Sequence, residues 1–175
     1  MEEDRIKELK FEQKFYLTNI NINSEFVSLI NSIKLRRVDS HHTSYFDTNE
    51  NVDLSKLIFK FLENDFILFL KHLNFKTFKL INWWVQKYNK DDFFELHTHG
   101  ISKNLYSFVL YIDCTEDSAP INFYPPLYPY YMEKPLVIKP TKGMFILFPS
   151  YLPHSVSLNN DFKRLILSGN ITCHG

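Results

Sequence analysis

Several features are scarce in this chain of 175 residues, and each scarcity excludes a class of protein. It has two cysteines, Cys114 and Cys173, which form no spaced motif, so a secreted disulfide scaffold is excluded. Its formal net charge is zero, from 20 basic and 20 acidic residues, which gives no electrostatic case for binding nucleic acid. The most apolar stretch, residues 57–73, is interrupted by charged side chains, so no membrane span is expected. The charged start, MEEDRIKELK, does not resemble a signal peptide, and we expect a cytoplasmic protein.

The chain has ample material for a hydrophobic core. It is 45% hydrophobic and 17% aromatic, with 17 phenylalanines and 10 tyrosines. A chain of this length can form one domain with a sizeable interior. We therefore expect a single domain over residues 1–175, in which residues 1–76 supply an N-terminal strand and helices and residues 77–175 supply a β-rich core.

The first 76 residues carry mainly helical patterns. A strand is predicted in KFEQKFYLTNI, and a short helix capped by Ser24 follows it. The polar stretch 36–51 predicts a loop, in which His41 and His42 are exposed. From Asp53 onward, apolar residues recur at intervals of three and four, which predicts one long helix or two helices that break near Asn64.

From about Phe78 the period changes from helix to strand. Seven or eight short β-branched and aromatic stretches follow, and prolines punctuate them. Helices followed by a run of strands indicate an α+β chain, and the strands are typical of a double-sheet jelly roll with the N-terminal helices packed outside it. The Pro- and Tyr-rich stretch 119–135 is predicted to be either a lid over a site or a stiff structural loop. Cys173 and His174 are predicted to lie in a frayed terminus.

Two histidines stand two residues apart near the start of the β-rich half. In a strand, His97 and His99 project to the same face, together with Glu95. Two imidazoles at this spacing can reach one metal ion. The alternative is an exposed pair near a strand end.

A second polar set follows in the stretch GMFILFPSYLPHSVSLNNDFKRLILSGNI. His154 begins a strand, and ten residues later Arg164 begins another, whose same face carries Ser168 and Asn170. A buried guanidinium needs an anionic partner and suits a carboxylate. If the distal strand returns beside the first, three histidines occupy one face of a metal, and open positions remain for a bidentate ligand and dioxygen. The alternative is a surface strand with its polar face outward.

Four stretches between residues 84 and 170 resemble, in order, the motifs of one known family. Its pattern of tryptophan, a glycine–aspartate turn and His-x-His-Pro resembles WWVQKYNKDDFFELHTHG, and its Ser-Gly-Val-Tyr-Tyr strand is similar to SFVLYI. Its Gly-x-x-x-x-Phe-Pro-Ser-x-x-x-His segment resembles GMFILFPSYLPHSV, and its Arg-Ile-Ser-Ile-Ser-x-Asn strand resembles KRLILSGN. The family is the Fe(II)- and 2-oxoglutarate-dependent oxygenases, in the small, prolyl-hydroxylase-like branch common in phages and marine bacteria.

The resemblance implies a double-stranded β-helix and a set of roles. His97, His99 and His154 would hold Fe(II), and Arg164 would pair with the distal carboxylate of 2-oxoglutarate. Dioxygen would be the other co-substrate, and the reaction would hydroxylate an unactivated C–H bond of an amino-acid, peptidyl or small-molecule substrate. Further residues would match pocket or cofactor-binding positions: Trp84, Ser107, Ser168 and Asn170. Tyr88 and Tyr106 are predicted to hydrogen-bond the cofactor or substrate, with ordinary aromatic core as the alternative.

The sequence departs from the family pattern at five positions. His99 stands where the superfamily usually has Asp or Glu, so Glu95 is predicted to be either the missing carboxylate ligand or an acceptor that orients an imidazole. The other four departures are Asp91 and Phe108, where glycine is expected, Gly100, where proline is expected, and Ile166, where serine is expected.

Two other classes of function remain open. A three-histidine site without a carboxylate also resembles cupin-type dioxygenases or a zinc site that activates water, and of these readings only a 2-oxoglutarate enzyme needs Arg164. A jelly roll can also be a non-catalytic binding or virion module. The sequence does not select a substrate or an oligomeric state.

Overall fold

The computed structural model describes residues 14–47, 52–124 and 134–175. Within these ranges the chain forms two helices and eleven strands. In chain order the elements are β1 (Tyr16–Asn19), α1 (Ser24–Ser32), β2 (Arg36–Arg37), β3 (His42–Thr43), α2 (Val52–Leu73), β4 (Thr77–Tyr88), β5 (Phe94–His97), β6 (Leu105–Cys114), β7 (Ile121–Phe123), β8 (Leu136–Ile138), β9 (Met144–Pro149), β10 (His154–Val156) and β11 (Arg164–His174).

The strands form two antiparallel sheets. The larger sheet has the order β1-β9-β6-β11-β4-β3-β2, and the smaller has the order β5-β10-β7-β8. Apart from β2-β3-β4 and β7-β8, neighbouring strands are not consecutive in the chain, as in a jelly roll. The predicted α+β class and jelly-roll core are therefore confirmed. Of the Pro- and Tyr-rich stretch 119–135, the part from 125 to 133 lies outside the described residues.

The core consists of two apolar clusters, one on each face of the larger sheet. Strand β6 shows why, because its side chains alternate between the two faces. Phe108 and Leu110 belong to the cluster that includes buried residues of α1 and α2. Val109 and Tyr111 belong to the second cluster, which includes residues of the smaller sheet. The helices thus cover one face of the larger sheet, and the smaller sheet covers the other.

The helices differ in detail from the prediction. Asn23, rather than Ser24, caps α1, and its side-chain oxygen accepts a hydrogen bond of 2.8 Å from the Phe26 amide. Helix α2 is one continuous element of 22 residues with no break near Asn64. No helix in the described ranges has the length and apolarity needed to cross a membrane.

Two stretches expected to be irregular are part of the larger sheet. The predicted loop 36–51 contains the short strands β2 and β3, and β3 pairs with β4 through Thr43 and Gln86. The predicted frayed terminus was also wrong, since β11 continues to His174 and pairs with β4 there. Cys173 is only 1% exposed. In both places the backbone is ordered by hydrogen bonds to a neighbouring strand, and the hydrophobic pattern of the sequence does not predict that pairing.

Gly143 occupies the turn that leads into β9. Its φ is +84°, and a Cβ atom there would lie 2.6 Å from the carbonyl oxygen of Ile20. The Ile20 amide in turn donates a hydrogen bond of 2.8 Å to the Gly143 carbonyl oxygen. This close backbone approach joins the segment after β1 to the larger sheet.

Replacing Gly143 with alanine is expected to destabilise the protein, because the new methyl group meets backbone that cannot move aside and the φ is strained. The cost should be about 1–3 kcal/mol in the free energy of unfolding, measured by urea denaturation. Gly175→Ala is the matched control, since a Cβ there meets nothing within 4 Å. Equal stability of the two variants would contradict the role assigned to this turn.

Candidate active site

Three histidines converge where β5 and β10 pair. His97 ends β5 and lies directly opposite His154, the first residue of β10. The nitrogen atoms that His97, His99 and His154 offer as ligands lie within 4.8 Å of one another, and the two Nε2 atoms of His99 and His154 are 3.2 Å apart. His99 lies beyond the end of β5, where its amide donates to the Ser150 carbonyl over 2.9 Å. The His-x-His pair therefore converges, but a loop contact and not strand alternation orients its second member.

The environment prepares these imidazoles to bind a metal cation. His97 Nδ1 lies 2.7 Å from the Glu95 carbonyl oxygen, and His154 Nδ1 lies 2.8 Å from that of Leu152. Each Nδ1–H donates to its carbonyl, which leaves the Nε2 lone pair free. Burial lowers the pKa of His99 to about 4 and lowers those of His97 and His154, so the rings are neutral near pH 7. Converging lone pairs on neutral rings are the donor set of a divalent transition metal.

The Glu95 carboxylate is not part of this cluster. Within the described part of the chain, the cluster consists of the three histidines alone, and Glu95 is exposed. Its backbone carbonyl, and not its carboxylate, orients His97. Glu95 was predicted to be either a ligand or an acceptor that orients an imidazole. The orienting contact is present, but the main-chain carbonyl of Glu95 makes it.

Arg164 is buried next to the cluster, and none of the described carboxylates pairs with it. It is 1% exposed, and its Nε donates to the Ala119 carbonyl over 2.9 Å. Its guanidinium carbon lies 4.3 Å from the centre of the Tyr88 ring and 5.4 Å from that of Tyr111. Both Nη atoms and the hydroxyl oxygens of Tyr88 and Tyr111 are buried and make no hydrogen bond of normal geometry within the described part of the chain. A buried cation surrounded by unsatisfied donors is costly unless an anion binds, and a carboxylate fits this set.

Tyr111, and not Tyr106, stands beside the arginine. Sequence reasoning selected Tyr106, but that residue lies on the helix-covered face of β6 and its ring packs against Phe75. Tyr111 is five residues further along the same strand and so lies on the opposite face. Strand alternation separates the two tyrosines, but only the pairing of β6 with β11 reveals which one meets Arg164.

The two polar residues that follow Arg164 on its strand face have different surroundings. Ser168 lines the cavity between the histidines and Arg164. Asn170 is engaged in a polar network, because its Oδ1 accepts from Ser107 Oγ and its Nδ2 donates to Asn82 Oδ1, each over 2.7 Å. Ser107 Oγ is also 2.7 Å from Ser150 Oγ. The predicted pocket positions Ser107 and Asn170 thus tie β4, β6 and β11 together.

A small inner cavity and a larger outer groove meet at the histidines. The inner cavity, of about 20 Å³, includes His154, Arg164 and Ser168 in its lining. The outer groove, of about 510 Å³, opens on the other side of His97 and His99. Five residues line both spaces and separate them: Trp84, Gln86, Phe94, His97 and His99. The inner cavity has room for about one water molecule.

His41 is buried in the lining of the outer groove, so the prediction that it is exposed was wrong. Its ring stacks on Tyr88 with centroids 5.1 Å apart and an interplanar angle of 10°. Its Nε2 lies 3.0 Å from Gln86 Nε2, and its Nδ1 lies 3.0 Å from Ser40 Oγ. Because β3 pairs with β4, the polar segment 36–47 covers the site, and His41 supports one of the two rings that enclose Arg164.

The departures from the family pattern have local explanations. Asp91 has φ +68°, the left-handed conformation that glycine adopts most easily, and its amide donates to the Asn159 carbonyl over 2.7 Å. Phe108 fills space above Gly169, where a Cβ atom would lie 2.6 Å from the phenyl ring. Gly100 has φ +149°. Ile166 lines the inner cavity and makes that part of it apolar.

Comparison with known proteins identifies the fold. No family model matches the chain, and no curated protein matches its sequence. A solved oxidoreductase of the 2OG-Fe(II) oxygenase family from Burkholderia pseudomallei has a TM-score of 0.73 at 14% identity, over 90% of this chain and 84% of that one. A Pseudomonas putida prolyl-4-hydroxylase has a TM-score of 0.62 at 14% identity, over 93% and 94%. HygX from Streptomyces hygroscopicus, solved with nickel, 2-oxoglutarate and hygromycin B bound, has a TM-score of 0.65 at 12% identity, over 91% and 83%.

The class defined by these neighbours is the 2-oxoglutarate- and Fe(II)-dependent oxygenases, and this chain has their fold. The resemblance expected from sequence is confirmed at that level, including the double-stranded β-helix. The finer assignment to a phage and marine-bacterial branch stays a prediction.

Removal of one histidine is expected to abolish tight metal binding. His154→Ala leaves two donors, and its affinity for Ni(II) or anaerobic Fe(II) should fall by about 100-fold or more. Isothermal titration calorimetry measures this affinity. His72→Ala, on α2, is the matched control and should bind metal like the unmodified protein. If both variants bound metal equally, the three-histidine cluster would not be the site.

Acid is expected to destabilise the metal-free protein partly through His41. Burial lowers the pKa of His41 to about 4, from an ordinary value of 6.5. Between these values the unfolded chain binds more protons, so stability is full above pH 6.5 and falls as pH drops towards 4, by up to about 3 kcal/mol. His41→Phe keeps an aromatic ring on Tyr88 but cannot titrate, so its thermal midpoint should fall less between pH 6.5 and 4.5. A pH dependence as steep as that of the unmodified protein would contradict this account.

Proposed function

We propose that the protein is an Fe(II)- and 2-oxoglutarate-dependent oxygenase. The observation that carries the proposal is the pairing, around one cavity, of a three-histidine cluster with a buried arginine that has no anionic partner among the described residues. A metal-binding end and a carboxylate-binding end match the two ends of 2-oxoglutarate. The fold shared with solved oxygenases agrees with this assignment.

Each group in the cavity has a role in this proposal. The Nε2 atoms of His97, His99 and His154 hold Fe(II). The Arg164 guanidinium binds the distal carboxylate of 2-oxoglutarate, and the hydroxyls of Tyr88 and Tyr111 donate to the same carboxylate. Fe(II) and 2-oxoglutarate together supply, when bound, the activation of dioxygen and the oxidation of an unactivated C–H bond, with succinate and carbon dioxide formed from the co-substrate.

The protein itself contributes orientation and exclusion of water. Arg164 is fixed by the Ala119 carbonyl and by two aromatic rings, so its Nη atoms are held in place before a ligand arrives. The inner cavity of about 20 Å³ is smaller than 2-oxoglutarate, so side chains in its wall must move for the co-substrate to enter. Phe94 lines both the cavity and the groove, and we assign this movement to it.

Arg164 also separates this function from its rivals. A zinc site that activates water, or a cupin-type dioxygenase without 2-oxoglutarate, has no use for a buried guanidinium beside the metal. A non-catalytic module would retain it only at a cost in stability. We further propose that residues 1–175 act as one domain in the cytoplasm, where the free thiols of Cys114 and Cys173 remain reduced.

The anaerobic complex provides the test. Addition of Fe(II) and then 2-oxoglutarate should produce the weak visible charge-transfer band of the chelate. Arg164→Leu should lose the band while it still binds Fe(II). Tyr111→Phe removes one hydrogen bond to the carboxylate, so its affinity for 2-oxoglutarate should fall about five- to tenfold. Tyr106→Phe is the matched control from the other face of β6 and should behave like the unmodified protein.

Two results would contradict the assignment. Absence of the band in a protein that binds Fe(II) would leave a three-histidine metalloprotein of another class. An Arg164→Leu variant that bound 2-oxoglutarate normally would remove the observation on which the proposal rests.

A further inference from the structure

The outer groove is the largest space next to the histidines, and its described wall is mainly aromatic. It measures about 510 Å³, a size that accommodates an organic molecule or one extended side chain. Tyr45, Phe46 and Phe93 are exposed apolar residues in its lining, and Trp84 and Phe94 form its floor next to the histidines. Such rings bind apolar chains and also attract cations through their faces.

The charged groups in the groove are all acidic among its described lining residues. Asp39 and Glu95 are the two charged members of that lining. They stand on adjoining segments, because the Phe93 amide donates to the Ser40 carbonyl over 3.1 Å. The groove therefore has two carboxylate side chains in its lining, on segments that are joined by a main-chain hydrogen bond.

Among the described residues, the neighbouring arginines form their ion pairs with other carboxylates. Arg36 pairs with Asp47, and Arg37 pairs with Asp92 over 2.6 Å. Arg37 reaches Asp39 only through the main-chain carbonyl of that residue, over 3.4 Å. His41 also lines the groove, and burial lowers its pKa to about 4, so its ring is uncharged near pH 7. The described lining of the groove thus carries two carboxylates and no lysine or arginine.

We infer that the groove receives an organic cation, a primary ammonium or guanidinium group on an apolar arm, as the substrate of the proposed oxygenase. Asp39 and Glu95 bind the charge, and the aromatic rings pack against the arm and direct it towards His97 and His99. The inference rests on the proposed function for the oxidation, but the cation preference of the groove can be measured without turnover. Two sources share this chemistry: a free amine and the basic side chain of a peptide.

Matched probes that differ only in charge test the preference. Binding of 4-phenylbutylamine is compared with binding of the neutral 4-phenylbutan-1-ol, by calorimetry and by intrinsic tryptophan fluorescence. A second arm compares a pentapeptide that contains lysine with the same peptide containing acetyl-lysine. At least one cation should bind about tenfold more tightly than its neutral partner, and the preference should shrink at high salt. The pair of probes that shows the larger preference identifies the source of the cation, either a free amine or the basic side chain of a peptide.

Three variants connect the preference to the groove. Asp39→Asn and Glu95→Gln should each reduce the ratio between cation and neutral probe by about threefold or more. Asp53→Asn removes the same charge from an exposed position on α2 outside the groove and should leave the ratio unchanged. Equal binding of charged and neutral probes in both arms, or a ratio insensitive to Asp39 and Glu95, would overturn the inference.

The outcome is distinguishable from failure of the proposed function. A charge-transfer band without cation preference would keep the oxygenase and overturn the inference about its substrate. Cation preference without the band would support the groove as a cation site and would overturn only the assignment of the chemistry.

Discussion

The burial of Arg164 is the constraint on which the site depends. A guanidinium that is 1% exposed loses its hydration, and within the described residues only the Ala119 carbonyl replaces part of it. Tyr88 from β4 and Tyr111 from β6 enclose the charge, and His41 supports Tyr88 from its other side. Three neighbouring strands and one hairpin are thus arranged around a cation whose Nη atoms have no hydrogen-bond partner in the described ranges. A carboxylate ligand would satisfy this arrangement, and it is difficult to explain otherwise.

The histidine cluster presents the opposite electrostatic requirement close by. Burial keeps the three rings neutral, and main-chain carbonyls orient two of them through Nδ1, so their Nε2 lone pairs can bind a cation. In the proposed function, a divalent metal chelated by a dicarboxylate would occupy the histidine and arginine ends together. The inner cavity would then be the co-substrate side and the acidic, aromatic groove the substrate side, with Phe94 and the histidines between them.

The sequence was most informative where function depends on residue type and local spacing. His97, His99, His154 and Arg164 were selected from motif and strand period, and the structure brings all four to one cavity. The sequence misled where a contact depends on which strands pair. Tyr106 was named as a candidate, Tyr111 was missed, and His41 was predicted to be exposed, because neither the face of β6 that meets Arg164 nor the pairing of β3 with β4 has a local signature. Glu95 was a reasonable candidate ligand, yet its main chain makes the contact.

The sequence by itself determined the α+β class, the helical stretch from Asp53 onward, the run of short strands and the identities of the three histidines and the arginine that line one cavity. These features follow from hydrophobic period and from chemistry carried by single side chains, which a linear reading can detect. Only the tertiary structure decided which tyrosines enclose Arg164, that His41 is buried, that β11 extends to His174, and that an acidic aromatic groove adjoins the histidines. Those features arise from pairing between strands far apart in the chain, where register and sheet order, rather than local composition, determine which side chains meet.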